Sequence, residues 1–317
     1  MSKVALITGA TGQDGYYLAK LLKSKGYTVH GLVRRSAGRH AEREHVFEYL
    51  DKCIPGDVTD FGTLCRIFEQ HDYDEVYHLA AQSFVAESFS DPFSTWKINT
   101  QGTLNVLEAI RHFAPHTKLY NAASSEMFGN ESAPQGIDTP FMPRSPYGVA
   151  KLAAYQLVKN YREAYNLFVC SGILFNHESP IRGELFVTRK IVKAAVAIKK
   201  KRQKELRLGN LNAMRDWGHA EDYVQAMHMM LQHARPTDFV IGTGKTYSIR
   251  DFCLYTFDHF GMNYENYVTV SPEYYRPAEV NQLQADIQPA LFDLGWQPTH
   301  TLKTLIADMI TYEWNNS

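Results

Sequence analysis

Two residues of one helix-like segment could remove a proton from a hydroxyl group. Tyr147 and Lys151 stand four positions apart in RSPYGVAKLAAYQLVK, a spacing that places both side chains on one face of a helix. A phenol has a pKa of about 10, so it is a poor base at neutral pH until a nearby cation favours its ionised form. Lys151 could supply that charge, and we predict both residues as catalytic. Taken alone, the same spacing also occurs in ordinary amphipathic helices.

A second segment, YNAASSEMFG, adds a hydroxyl and a carboxylate. Ser124 and Glu126 follow an apolar run at 119–122, and the carboxyl end of such a strand is where open α/β sheets bind ligands. The Ser124 hydroxyl could hydrogen-bond the oxygen that Tyr147 deprotonates. Glu126 adds a second base, which a simple alcohol oxidation would not require. We predict both as catalytic, the alternative for Glu126 being a loop carboxylate that caps the following turn.

Three glycines near the start of the chain could hold a diphosphate. Gly9, Gly12 and Gly15 in ITGATGQDGYYLA follow an apolar run and open a helix-like segment. Without side chains, such a turn brings backbone N–H groups against a pyrophosphate at the positive end of a helix. The alternative is a tight turn without a ligand. The alternation of strands and helices that follows favours a dinucleotide site.

Two arginines indicate which dinucleotide would bind. Arg34 and Arg35 end the second strand-like run, where NAD enzymes usually carry an acid for the ribose hydroxyls. Guanidinium groups would pair with a 2′-phosphate, so we predict NADP as the cofactor. The alternative is a pair of solvated surface arginines. Asp57 and Val58, which follow a short third strand expected between the runs at 29–33 and 76–79, are expected on position alone to flank the adenine.

The apolar pattern shows which elements must position these residues. Strand-like runs alternate with helix-like segments such as 16–25 and 103–113. The strand-like runs lie at 4–7, 29–33, 76–79, 119–122 and 168–174. This pattern predicts an α/β fold with a Rossmann-type, doubly wound parallel sheet covered by helices. We predict an NADP-binding domain over 1–175 and a smaller mixed α/β substrate-binding lobe over 176–317, with some segments of the lobe returning to the sheet.

Composition and charge argue against several other classes of protein. The 317 residues are 44% apolar, enough for a substantial core, and 33 basic residues nearly balance 34 acidic ones, which leaves no general basic field for nucleic acid. The sequence contains no uninterrupted run of about 18 apolar residues, so we predict no membrane partner. The four scattered cysteines and the lack of a secretory signal favour the cytoplasm. The thirteen histidines show no ligand grouping, and we predict no metal.

Together these motifs resemble the extended short-chain dehydrogenase/reductase family of nucleotide-sugar enzymes, and the resemblance covers essentially the whole chain. The stretches that many members share are ITGATGQDG, LVRRS, LAAQSFV, SSEMFG and PRSPYGVAK. Three further stretches, ILFNHESPIRGELFVTRKI, LGNLNAMRDWGHAEDYVQAM and YYRPAEV, continue the match. Within them, the block from Asn176 to Lys190 together with Arg215 to Gly218 resembles the GDP-mannose 4,6-dehydratase branch.

The resemblance implies roles for further residues and a partner. It gives catalytic roles to the four residues named above and implies a GDP-sugar as the substrate. The residues that it places around that substrate are Asn176, Arg182, Lys190, Arg215, Arg276 and Glu279. We also expect Ser83 at the substrate and Gln13, Asp14 and Ala80 at the cofactor. A homodimer or homotetramer is expected.

The implied reaction is the conversion of GDP-mannose to GDP-4-keto-6-deoxymannose by internal hydride transfer through bound NADP. Three alternatives remain open at this point. A reductase of GDP-4-keto-6-deoxymannose shares the fold and the same catalytic residues, and a GDP-heptose 4,6-dehydratase would differ only in the tail of the sugar. From another class, a silent NADP-binding sensor would have no use for the base at Tyr147 or the carboxylate at Glu126.

Overall fold

Residues 2–34, 47–275 and 277–317 are described by the computed structural model of the chain. The strands are β1 (Val4–Thr8), β2 (Thr28–Val33), β3 (Lys52–Pro55), β4 (Glu75–His78), β5 (Lys118–Ser124), β6 (Val169–Leu174), β7 (Asn176–Glu178), β8 (Leu206–Leu208), β9 (Met214–Arg215), β10 (Trp217–His219), β11 (Phe239–Ile241), β12 (Tyr247–Ser248) and β13 (Val268–Val270). The α-helices are α1 (Gln13–Ser24), α2 (Phe61–Gln70), α3 (Val85–Ser90), α4 (Pro92–Trp96), α5 (Gly102–Phe113), α6 (Pro146–Tyr165), α7 (Val187–Lys199), α8 (Ala220–Gln232), α9 (Ile249–Asp258), α10 (Gln288–Phe292) and α11 (Leu302–Asn316).

Seven parallel strands form the central sheet, in the order β11-β6-β5-β4-β1-β2-β3. The order reverses between β1 and β4, and in doubly wound sheets ligands bind outside the carboxyl ends of the strands at this point. The predicted Rossmann-type sheet is confirmed. The strand-like runs in the sequence correspond to β1, β2, β4, β5 and β6.

The sheet separates two layers of helices because successive side chains of a strand point to opposite faces. Ala5 and Ile7 pack in the cluster that contains α1 and α8, whereas Leu6 packs in the cluster that contains α2, α5 and α6. All three side chains are fully buried. Their continuous apolar run is what a parallel strand covered on both faces requires.

The chain after residue 175 builds a second cluster and also returns to the sheet. Helices α7, α9 and α11 pack together around Trp217 and Phe252, next to the short strand pairs β7 with β10, β8 with β13 and β9 with β12. In contrast, β11 pairs with β6 and α8 packs on α1. The proposed division of the chain at residue 175 stays a prediction. Over the described residues, the helices are too short or too polar to cross a membrane.

Candidate active site

A cleft with a volume of about 700 Å³ lies at the carboxyl ends of β1, β4, β5 and β6. Every described residue that the sequence assigned to catalysis, cofactor or substrate lines it. These residues are Gly9, Gly12, Gln13, Asp14, Gly15, Arg34, Asp57, Val58, Ala80, Ser83, Ser124, Glu126, Tyr147, Lys151, Asn176, Arg182, Lys190, Arg215 and Glu279. The other two assigned residues, Arg35 and Arg276, lie outside the described residues.

The glycine-rich turn has the shape needed to receive a diphosphate. Gly9 has a positive φ of 72°, and a Cβ there would lie 2.7 Å from the backbone nitrogen of Ala80. A Cβ on Gly15 would lie 2.5 Å from the carbonyl oxygen of Ala10, so α1 can start this close to β1 only with glycine. Gly12 is the N-cap of α1 and supplies no side-chain cap. The backbone N–H groups at a helix start of this kind bind phosphates.

The residues predicted around the adenosine end follow the next two strands. Arg34 comes directly after β2 and is exposed, so its guanidinium is accessible at the rim of the cleft. Asp57 accepts a hydrogen bond from the backbone nitrogen of Thr59 at 2.9 Å. Val58 is buried, and its carbonyl accepts from the Asn105 amide at 2.9 Å. These bonds fix the turn after β3 beside the cleft.

Helix α6 presents Tyr147 and Lys151 to the cleft, each only 7% exposed. Its start is fixed by Ser145, whose hydroxyl accepts a hydrogen bond from the backbone nitrogen of Gly148 at 3.0 Å, and by Pro146 at the first helical position. Lys151 Nζ donates to the carbonyl oxygen of Ala122 at 2.8 Å and lies 6.0 Å from the centre of the Tyr147 ring. The helix therefore brings both groups to the end of β5.

Burial dominates the pKa values of this pair. It raises the pKa of Tyr147 to about 12 and lowers the pKa of Lys151 to about 8. Both shifts favour the uncharged form, because a low-dielectric environment disfavours any isolated charge. The expectation that Lys151 keeps Tyr147 ionised is therefore wrong for the resting protein. Tyr147 is a protonated phenol at neutral pH, and Lys151 can lose its proton at an unusually low pH for a lysine.

Ser124 and Glu126 meet Tyr147 from the end of β5. The strand ends at Ser124, and a 3₁₀ turn over Ser125–Met127 follows, with the Ser124 hydroxyl accepting from the backbone nitrogen of Glu126 at 3.3 Å. After burial, the next influences on the pKa of Tyr147 are a hydrogen bond to Ser124, which lowers it, and the charge of Glu126, which raises it. The Ser124 hydroxyl, the Tyr147 phenol and the Glu126 carboxylate therefore belong to the same part of the cleft.

Two of the predicted cations on the far side of the cleft are held by aromatic rings. The Arg182 guanidinium lies 3.6 Å from the centre of the Phe186 ring, and its Nε lies 3.0 Å from a carboxylate oxygen of Glu178. Lys190 Nζ lies 4.0 Å from the centre of the Tyr274 ring, and burial lowers the pKa of this lysine. The cations are positioned before any anion arrives, which reduces the ordering cost of binding one.

Arg215 and Glu279 face each other at the same end of the cleft. Arg215 Nη1 donates to the carbonyl oxygens of Met214 and Val280, both at 2.9 Å, and its Nη2 lies 3.5 Å from Glu279 Oε1. Asn176, at the start of β7, and Ser83, just before α3, complete the predicted substrate residues. All four line one continuous cleft with the catalytic residues.

Several residues that line the cleft had no predicted role. His177 and Glu178 belong to β7, and Phe186 and Tyr274 cover the two cations. A role for His177 and Glu178 could have been suspected, because both are polar residues in a short buried strand and buried polar groups need partners. No local pattern could place Tyr274 beside Lys190, since these residues are far apart in the sequence.

Among the described residues, one group of potential metal ligands lies outside the cleft. Ligand atoms of His219, Glu221 and His300 lie within 4.8 Å of one another. The His219 ring accepts from the backbone nitrogen of Glu221 through Nδ1 and contacts Asp308 through Nε2, while His300 Nδ1 lies 3.0 Å from Asp222. These contacts cap α8 and join it to α11. The prediction that the protein holds no metal stays a prediction.

Comparison with known proteins identifies the family. The family model described as GDP-mannose 4,6 dehydratase matches residues 6–309. A protein of Arabidopsis thaliana named GDP-mannose 4,6 dehydratase 2 is 48% identical over 320 residues, which cover 97% of this chain and 86% of that protein. A GDP-mannose 4,6-dehydratase of Vibrio cholerae is 45% identical over 347 residues, covering 98% and 93%.

A solved structure shares the architecture. The structure of RMD from Pseudomonas aeruginosa complexed with NADPH matches over 100% of both chains with a TM-score of 0.84 and 22% identity, which is a likeness of fold. The predicted resemblance to GDP-mannose 4,6-dehydratase is confirmed by the family model and the two relatives. From its sequence matches over nearly its whole length, this chain belongs to the GDP-mannose 4,6-dehydratase family.

Proposed function

We propose that this protein converts GDP-mannose to GDP-4-keto-6-deoxymannose by internal hydride transfer through bound NADP. Family membership supports the substrate and the reaction. The observation that carries the chemistry is the meeting of Glu126 with Tyr147 and Ser124 in one buried volume, because elimination of water requires a carboxylate base beyond the residues needed for oxidation.

NADP is the cofactor that the residues fit. The turn from Gly9 to Gly15 suits the diphosphate, and Arg34 at the rim would pair with the 2′-phosphate. Gln13, Asp14, Asp57, Val58 and Ala80 line the same half of the cleft, and the fold relative from Pseudomonas aeruginosa is complexed with NADPH. Bound NADP would take a hydride from C4 of the sugar and return it to C6 within one turnover.

The residues of the chain would move the protons. Tyr147 first releases its own proton to solvent, and its phenolate then accepts the proton of the sugar 4-hydroxyl as that carbon is oxidised, while the Ser124 hydroxyl holds the oxygen. Lys151 has a pKa of about 8, so at pH 7 it remains mostly protonated and can stabilise the phenolate through which Tyr147 passes. Glu126 then removes the C5 proton, which the new 4-ketone acidifies, and a proton from Glu126 or Ser124 accompanies the C6 hydroxyl as it leaves as water.

The remaining cations would bind the GDP moiety. Arg182, Lys190 and Arg215 can make charge-assisted hydrogen bonds to a diphosphate. Asn176 and Ser83 would contact the sugar, and Glu279 would accept from sugar hydroxyls or guanine N–H groups. Arg276 is assigned to this group from the family motif alone.

The substitution Arg34→Ala is expected to weaken NADP⁺ binding about tenfold or more while changing NAD⁺ binding little. The reason is that only NADP⁺ carries the 2′-phosphate, and a hydrogen bond to a charged group contributes about 1.5–3 kcal/mol. Isothermal titration with both dinucleotides measures this, with the exposed helix residue Arg66→Ala as the control. Equal losses for NADP⁺ and NAD⁺ would show that Arg34 supports the loop and not the phosphate.

Incubation of the purified protein with GDP-mannose and no added NADPH tests the reaction. We expect complete conversion to a product lighter by one water, since the net redox change is zero. A reductase would need stoichiometric NADPH, and a silent binder would leave GDP-mannose unchanged. Conversion of a GDP-heptose in preference to GDP-mannose would assign the other dehydratase. Unchanged GDP-mannose would contradict the proposal.

We also propose a cytoplasmic homodimer or homotetramer. All four cysteines are free, which supports a reducing compartment.

Phe93 and Trp96 of α4 lie next to Val149 of α6 on an apolar surface, where they are 86%, 49% and 46% exposed. An apolar patch of this kind is typical of a protein–protein interface. Sedimentation velocity measures the assembly, and a monomer at micromolar concentration would contradict it.

A further inference from the structure

A partly buried polar bridge joins the glycine-rich turn to the strand that carries Asn176. Asp14 Oδ2 accepts a hydrogen bond from His177 Nε2 at 2.9 Å, and Gln13 Nε2 donates to the carbonyl oxygen of His177 at 3.1 Å. The Ser179 hydroxyl donates to Gln13 Oε1 at 2.7 Å. We call these four residues the Asp14–His177 bridge. It connects the first turn of α1, on the cofactor side, to β7 and the residue after it, on the sugar side.

The geometry makes the bridge an ion pair. His177 Nδ1 lies 2.8 Å from the carbonyl oxygen of Phe175, and Nε2 faces the carboxylate of Asp14. Both ring nitrogens therefore face acceptors, an arrangement that favours the doubly protonated, charged ring. Burial alone would neutralise the two groups, but their mutual attraction outweighs it, so the pKa of Asp14 lies below and that of His177 above the ordinary value. The positive charge of Arg182 opposes the shift of His177.

The imidazole is held in place from behind. It stacks on the Tyr223 ring with the ring centres 4.5 Å apart and the planes at 24°. Tyr223 packs against the edge of Trp296, whose indole nitrogen donates to the carbonyl oxygen of Asp222 at 3.0 Å. Helix α8, which carries Tyr223 and Asp222, therefore supports His177 as a fixed contact between the two halves of the cleft.

A carboxylate in the first turn of α1 would repel a diphosphate bound at the same helix start. In the bridge the imidazolium of His177 compensates the charge of Asp14. His177 also stands between Asn176 and Glu178, and Glu178 holds Arg182. These contacts link the turn before α1 to two residues, Asn176 and Arg182, that are predicted to face the nucleotide sugar.

We propose that the Asp14–His177 bridge couples the two binding events, so that a dinucleotide and a nucleoside diphosphate each raise the affinity of the cleft for the other. His177 is in this account a positioning residue. The inference rests on the proposed function for the identity of the second ligand, and GDP is the probe for it. Coupling of this kind is reciprocal, so it can be measured from either ligand.

The test measures how fast bound NADP⁺ exchanges with labelled NADP⁺ on the holoenzyme, with and without saturating GDP. In the wild type, GDP should slow exchange by about fivefold or more, the lower end of ordinary coupling. In His177→Phe, which keeps a ring to stack on Tyr223 but loses both N–H donors, the effect of GDP should fall below about twofold. Asp14→Asn, which keeps the shape and removes the charge, should behave likewise.

A matched control is available on the surface. Asp72 and His116 form an Asp–His contact of 2.6 Å with both side chains well exposed, so His116→Phe makes the same change away from the cleft and should keep the wild-type effect of GDP. If His177→Phe does not fold, Asp14→Asn decides. A variant that keeps the wild-type ratio overturns the proposal, as does a wild type that binds GDP without slowing exchange. A wild type that does not bind GDP by calorimetry overturns the proposed function itself, and with it this inference.

Discussion

Replacement of Tyr147 by phenylalanine should abolish turnover of GDP-mannose while leaving binding of the nucleotide sugar within a few fold. The ring would remain buried in the first turn of α6, so the packing is preserved and only the oxygen that exchanges a proton is lost. General acid–base catalysis typically contributes about 10²- to 10⁴-fold, and here the later steps also depend on the first oxidation. Steady-state rates and calorimetry with GDP-mannose measure the two effects separately.

The control for this substitution lies on the same helix. Tyr155 is also buried but does not line the cleft, so Tyr155→Phe should retain near wild-type activity. If Tyr147→Phe kept about a tenth or more of the wild-type rate, Tyr147 would not be the base. Loss of nucleotide-sugar binding together with turnover would instead mean that the phenol contributes mainly to binding.

Glu126→Gln separates oxidation from elimination. The amide keeps the shape of the side chain but cannot accept the C5 proton, so the variant should oxidise C4 and then stop before water leaves C6. In a single turnover with NADP⁺ supplied, the absorbance of the reduced cofactor should appear and persist, whereas the wild type should show at most a transient. Exchange of solvent deuterium into C5 should also be lost. A base contributes about 10²- to 10⁴-fold in rate, so the stall should be easy to observe.

Glu131→Gln is the matched control, since Glu131 is near in sequence but does not line the cleft. This variant should form the 6-deoxy product normally. If Glu126→Gln formed that product at a near wild-type rate, Glu126 would not be the C5 base, and the dehydratase mechanism would lose its distinctive residue. A variant that failed even to oxidise C4 would place Glu126 in the first step.

The sequence was sufficient for five of the seven strands of the sheet, because β1, β2, β4, β5 and β6 each contain an apolar run between helix-like segments. The pair Tyr147 and Lys151 could be predicted for a similar reason, since a spacing of four fixes two side chains on one helix face. Once the strands are parallel, Gly9, Ala80 and Ser124 must meet at one edge of the sheet. That is why residues from distant segments line a single cleft.

Other features depend on contacts that no local pattern contains. The bounds of helix α7, which follows a polar block, were not predicted, although its apolar residues, such as Ile191 and Val192, pack in a separate core cluster. Asp14 and His177 are 163 positions apart, so their ion pair appears only when α1 and β7 come together. The direction of the Tyr147 pKa shift was also missed, because it depends on how deeply the finished fold buries the phenol.

The fate of the hydrogen at C4 tests the central claim most directly. GDP-mannose deuterated at C4 is incubated with the purified protein and no added NADPH, and the product is examined by mass spectrometry and NMR. If hydride passes internally from C4 to C6, the product should have lost one water, kept its deuterium and carry it at C6. A product without deuterium at C6, or recovery of unchanged GDP-mannose, would contradict the account.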